Sequence, residues 1–159
     1  MLSHDRLWLT HWHAAAKVLI AMKVLAVDFG ARRVGLAVSD PSGRLARPLT
    51  TLERHNDRSL VRRICEIVAA EGVGKLVLGD PVNLDGKRGP ASRGVRAFAE
   101  KLERASGLEP IFVNESLTSR EAEQRLRESG IDPRKHPDRV DAVAAQIILQ
   151  EALDNELEP

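Results

Sequence analysis

The chain has 159 residues, 43% of them hydrophobic and 30% charged, with a formal net charge of +1; that is enough for one sizeable core and too little for two ordinary domains. This balance excludes wholesale disorder, and near-neutrality confines any nucleic-acid surface to a local basic patch. With no tyrosine, and only Phe29, Phe98 and Phe112 beyond Trp8 and Trp12, there is little material for stacking unpaired bases, so a nucleic acid would be gripped by its backbone and shape.

Residues 1–21 read as an N-terminal appendage, either a disordered or surface tail or an over-long translation start, because Met22 supplies its own methionine. The run LWLTHWHAAAKVLIAM is broken by His11, His13 and Lys17, which makes it a poor signal core and too short for a membrane span. His4, His11 and His13 have only Asp5 as an acidic companion, which argues against metal there. Residues 22–159 read as a single domain.

KVLAVD and RVGLAVSD predict two strands joined by FGARR, the first nearly all apolar and hence central. A third strand falls near RLARPLTTL. Leu60, Ile64, Ile67 and Val68 form a helical stripe over Asp57 to Glu71 that ends near Gly72 and Gly74. Cys65, at helical spacing between Val61 and Val68, reads as a small core hydrophobe. A lone cysteine and no convincing export signal point to a reducing cytosol. KLVLGD is a buried strand and PVNLDGKRGPASRG a polar loop; a helix through Val95, Phe98, Ala99 and Leu102 and the strand PIFVNE follow.

Two helices close the chain. In TSREAEQRLRESG, Thr118 is the expected cap, with Glu121 three residues on and Gly130 as the stop. DRVDAVAAQIILQEAL follows Pro137 and carries Val140, Val143, Ala144, Ile147 and Ile148 on its apolar face. The order β-β-β-α-β-α-β-α-α describes an α/β protein with a hairpin-led mixed sheet flanked by helices.

Three acids stand out. Asp28 sits at the carboxyl end of a central strand, where ligand sites commonly form, although an Asp beside a glycine also serves as a turn residue. Glu115 lies where another strand runs out. Asp141, in the first turn of the last helix, reads either as a helix-start signal behind an Asp138 cap or, sharing a face with Ala145 and Ile148, as a side chain aimed at the protein body. Together they could converge on a divalent cation, since hard oxygen donors suit Mg²⁺ or Mn²⁺. Such a cluster has a task in phosphodiester cleavage, where metal ions activate water and stabilise the leaving oxygen. Arg32 and Arg33 would then meet substrate phosphates; otherwise they form a solvated hairpin tip.

VDFGARRVGLAVSD, VLGDPVNLDG, NESLTSREAEQRL and RVDAVAAQIILQEAL, in this order and spacing, resemble the four successive motifs of the YqgF family, also called RuvX or pre-16S ribosomal RNA nuclease. The resemblance runs from about Met22 to Leu153. It implies a ribonuclease H-like fold related to RuvC-type Holliday-junction resolvases, and a cytoplasmic metal-dependent endonuclease that matures the 5′ end of precursor 16S ribosomal RNA with Mg²⁺ or Mn²⁺. Junction resolution is the alternative. On this resemblance Asp28, Glu115 and Asp141 are the catalytic acids and metal ligands, and Arg32, Arg33, Asn83, Lys87 and Arg88 meet nucleic acid. The implied partners are precursor ribosomal RNA or branched DNA and ribosomal particles, with no membrane, for a monomer or homodimer.

This chain departs from the family pattern at three positions. The family usually shows Asp-Glu-Arg where Asn114, Glu115 and Ser116 stand, and an apolar residue in place of Asp80. A catalytically impaired RNA-binding maturation factor is the reading these departures leave open, with Asp80 a candidate to restore the missing charge. An actin-like ATPase would share the Asp-x-Gly after a first strand, but needs two such domains. A dinucleotide-binding fold is excluded by the glycine pattern of DFGARRVG.

Overall fold

The computed structural model describes residues 22–83, 85–115 and 118–155; the appendage expected at 1–21 lies outside them, as does Ser116. The elements are β1 (Lys23–Phe29), β2 (Arg33–Ser39), β3 (Ala46–Glu53), α1 (Asp57–Glu71), β4 (Val73–Pro81), α2 (Pro90–Ser106), β5 (Pro110–Glu115), α3 (Thr118–Glu128) and α4 (Pro137–Asp154). Their order is the one the sequence predicts. They build one five-stranded sheet in the order β3-β2-β1-β4-β5, antiparallel through the first three strands and parallel from β1 to β4 to β5.

β1 is central, and its alternation divides the core in two. Leu25 and Val27 face α1 and α2, joining Leu76 and Leu78 of β4, Leu60 and Ile64 of α1, and Phe98 and Leu102 of α2. Val24 and Ala26 face the other way, against Ala145, Ile148 and Leu149 of α4. A strand covered on both faces must be apolar along its covered length, which is why VLAV, from Val24 to Val27, has no polar gap.

Helix boundaries follow local chemistry. Asn56 caps α1 by accepting from the Ser59 amide at 2.8 Å, and Gly72 ends it with a φ of 69° that costs a side-chain-free residue little. The expected stripe of α1 is present with Val61 added: Leu60, Val61 and Ile64 are buried, while Ile67 and Val68 pack at the margin.

Two expected caps are corrected. Thr118 lies inside the first turn of α3, and its hydroxyl donates to Glu115 Oε1 at 2.8 Å. Asp138 is the second residue of α4, whose cap position is His136; Pro137, with its φ already fixed, starts the helix two residues earlier than an Asp138 cap would require.

Candidate active site

Asp28 points to the α4 face of the sheet, as Val24 and Ala26 do. On β5 the parity is matched by Ile111 and Val113, which pack with the α4 core, so Glu115 shares that face. β4 lies between their strands, and the residue level with Asp28 on it is Gly79, one step beyond the Val27–Leu78 pair. Glu115, paired with Pro81, reaches back over this bare position. A Cβ at Gly79 would stand 2.4 Å from Glu115 Oε2. The two carboxyl groups meet because the strand between them has no side chain there.

α4 brings the third acid. Gly35 on β2 pairs with Asp28, and a Cβ at Gly35 would fall 2.0 Å from the Asp141 carbonyl oxygen. The helix backbone therefore rests on the strand backbone, and Asp141 stands over the hairpin next to Asp28. Arg33 at the mouth of this cluster donates from Nε to Asp141 Oδ2 at 2.5 Å.

Three half-buried acids at this distance cannot all carry charge cheaply. Burial first, then the charge of Glu115, a hydrogen bond with it, and the charge of Asp141 push the Asp28 carboxyl up to about 8. At neutral pH it keeps its proton. Among the described residues no three acids, histidines or cysteines stand gathered as a finished metal cage. Asp141 is instead turned to Arg33.

Asp80 does not restore a charge here. It is one residue past Gly79 and so faces the opposite side of the sheet, where Ser92 and Arg96 of α2 bind it. Asn114 likewise alternates away from Glu115 and is paired with Asp80, so its amide subtracts no carboxylate from the cluster.

The family-model match spans residues 22–155 and carries the description RuvX: Holliday junction resolvase. The chain belongs to the RuvX family. A protein of Chloroflexus aurantiacus named "Putative pre-16S rRNA nuclease" is 42% identical over 131 residues, covering 82% of this chain and 86% of the relative. One of the same name from Maridesulfovibrio salexigens is 43% identical over 129 residues, covering 81% and 96%. The structure of Thermus thermophilus RuvC in complex with a Holliday junction substrate superposes with a TM-score of 0.52 at 15% identity, over 86% of this chain and 96% of that one. That likeness establishes a shared RuvC-type, ribonuclease H-like fold. As a RuvX member the chain is a nuclease, a hydrolase acting on nucleic acid, in a class that generally uses divalent metal ions.

The basic residues singled out in the sequence fall at the same edge of the RuvX sheet. Arg32 is exposed at the hairpin tip, where its carbonyl accepts from the Arg54 amide at 2.8 Å, and Arg33 is engaged with Asp141. Asn83, Lys87 and Arg88 are exposed on a loop that leaves β4 at Pro81, the register partner of Glu115. An open edge suits a polymeric substrate better than a closed pocket. The cavity of about 460 Å³ between β3, α3 and α4, lined by Leu49, Thr51, Leu126 and Ala142, includes neither Asp28 nor Glu115. No helix among the described residues is long and apolar enough to cross a membrane.

Sequence reasoning missed Gly35, Gly79 and the Thr118 hydroxyl. The available signal was a glycine inside an apolar strand, which marks close approach of another group. Gly79→Ala is expected to displace Glu115 and the Ile148 side-chain tip, 2.8 Å from the new methyl group, both of which can swing aside. Melting should shift by only a few degrees while cleavage falls about tenfold or more, of the order seen when a ligand's support is disturbed. Parallel melting and cleavage assays check this, and equal loss of both would mean that Gly79 serves packing alone.

Proposed function

We propose that this chain is a cytoplasmic endonuclease that trims the 5′ end of precursor 16S ribosomal RNA, with Asp28, Glu115 and Asp141 holding Mg²⁺ or Mn²⁺. The observation that carries this reading is the convergence of three carboxyl groups at the open carboxyl edge of the sheet, brought together by the bare positions Gly79 and Gly35. The substrate comes from the name its relatives bear.

The residues fit a divalent cation. The donors are hard oxygens, and the three carboxyl groups have only Arg33, on Asp141, and the Asp28 proton set against them. When bound, such an ion supplies charge stabilisation to a phosphoryl oxygen and its leaving group. The chain's own groups do the rest. A cation held there would take the place of the Asp28 proton, Thr118 holds Glu115 through its hydroxyl, and Arg32, Arg33 and Lys87 attract the phosphates that flank the cut.

A four-way DNA junction is the second reading, favoured by the family's description as a Holliday junction resolvase. Cleavage of a precursor 16S 5′ leader and of a four-way junction, each with Mg²⁺ or Mn²⁺, compares the two directly, with Glu115→Gln as the control. RNA cutting that is lost in the variant is the expected result. Junction cutting alone would transfer the activity to DNA, and RNA that is bound but never cut would make the chain a binding factor.

A further inference from the structure

Asp80 is the one buried carboxylate among the described residues that lies outside the acid cluster, 4% exposed at the end of β4. Three side chains from the following segment converge on it. Ser92, itself fully buried, donates its hydroxyl to Oδ1. Arg96 donates to Oδ2 from Nε at 3.1 Å and from a terminal nitrogen at 2.6 Å, with its guanidinium 4.2 Å from the centre of the Phe112 ring. Arg88 places Nε 3.7 Å from the same oxygen. Burial by itself would raise the carboxyl's pKa, but the Ser92 and Arg96 hydrogen bonds and the two guanidinium charges outweigh it and hold Asp80 below the usual range.

The segment tied down in this way is the loop 82–89. Among its described residues its own bonds are a Val82–Arg88 bridge, the Asn83 amide to the Lys87 carbonyl at 2.9 Å and the Gly86 amide to the Asn83 carbonyl at 2.8 Å, and the Lys87 amide to Asp85 Oδ1 at 2.9 Å. It buries no large apolar side chain among its described residues. A loop of this kind loses its shape readily unless its ends are fixed. Asp80 lies at its base, with Arg88 at the far end of the loop and Ser92 and Arg96 in the first turns of α2.

We propose that Asp80 is a positioning residue for nucleic acid: by gathering Arg88, Ser92 and Arg96 on one carboxylate it keeps the loop 82–89 in shape beside Glu115, so that Asn83 and Lys87 meet phosphates without first being ordered. This rests on the nucleic-acid reading of that loop. It makes a prediction opposite in sign to simple electrostatics. Removing an anion from beneath a basic loop strengthens its attraction for phosphate, whereas removing the group that orders the loop weakens binding through the entropy of ordering it anew.

The test is fluorescence anisotropy of a labelled precursor 16S leader RNA in EDTA, so that affinity is read apart from cleavage. Asp80→Asn, matched in shape, is expected to bind about tenfold more weakly and Ser92→Ala about threefold more weakly. Lys87→Gln should weaken the native chain and add little in the Asp80→Asn background. Equal or tighter binding by folded Asp80→Asn overturns the proposal. If melting shows that this variant does not fold, Ser92→Ala decides, and native affinity there overturns it as well. Absence of RNA binding by the native chain, or a neutral Lys87→Gln, instead overturns the loop's part in the proposed function and takes this inference with it.

Discussion

Asp28→Asn is expected to lower phosphodiester cleavage about 10³-fold, because a cation held there is worth several kcal/mol of transition-state stabilisation and each 1.4 kcal/mol or so is tenfold in rate. The same variant is expected to be more stable than the native chain at high pH when metal is absent. Asp28 titrates near 8 in the folded chain against an ordinary 3.8, owing to burial and then to Glu115 and Asp141. Between those values the folded state binds more protons than the unfolded state, so the metal-free protein loses stability as pH rises from about 4 to 8. Asparagine carries no proton to lose and can still donate to Glu115. At pH 9 the advantage is expected to be about 2–4 kcal/mol, read from thermal melts in EDTA between pH 5 and 9. A variant that melts lower than the native chain at pH 9 would mean that Asp28 is not held against its charge.

Gly35→Ala is expected to cost about 3 kcal/mol, the upper end for overpacking, and to lower the melting temperature by roughly 10 °C. The new methyl group would stand 2.0 Å from the Asp141 carbonyl oxygen and 2.3 Å from its carbon. These are backbone atoms of a helix and cannot rotate away. α4 has to retreat as a unit, taking Ala145, Ile148 and Leu149 out of register with the sheet, and Asp141 moves with it. Stability and cleavage therefore fall together. This differs from Gly79→Ala, where side-chain tips give way and cleavage falls with little change in melting, so the pair separates the placing of the helix from the placing of Glu115.

The three acids were legible because each stands near an element's end: Asp28 and Glu115 close apolar runs, and Asp141 follows closely on a proline that starts a helix. Why they meet was not legible. That depends on strand register, which sets Gly79 level with Asp28 and Glu115 two residues further on, and no local pattern encodes the register between parallel strands joined by a helix. The roles of Thr118 and Asp138 turned on helix boundaries one and two residues from where capping rules put them. Parity separates Asp80 and Asn114 from Gly79 and Glu115, and it could be read along each strand. The Ser92 and Arg96 partners of Asp80 come from a helix beginning ten residues later and could not.

Asp28, Glu115 and Asp141 are proposed to hold a divalent cation together. Titration calorimetry of Mn²⁺ into the protein at pH 7, repeated in buffers of different ionisation enthalpy, counts protons as well as ions. The prediction is binding that releases about one proton per chain, with the release lost in Asp28→Asn and the affinity reduced in Glu115→Gln. Mn²⁺ binding that neither substitution alters, or no binding to the native chain, would contradict it.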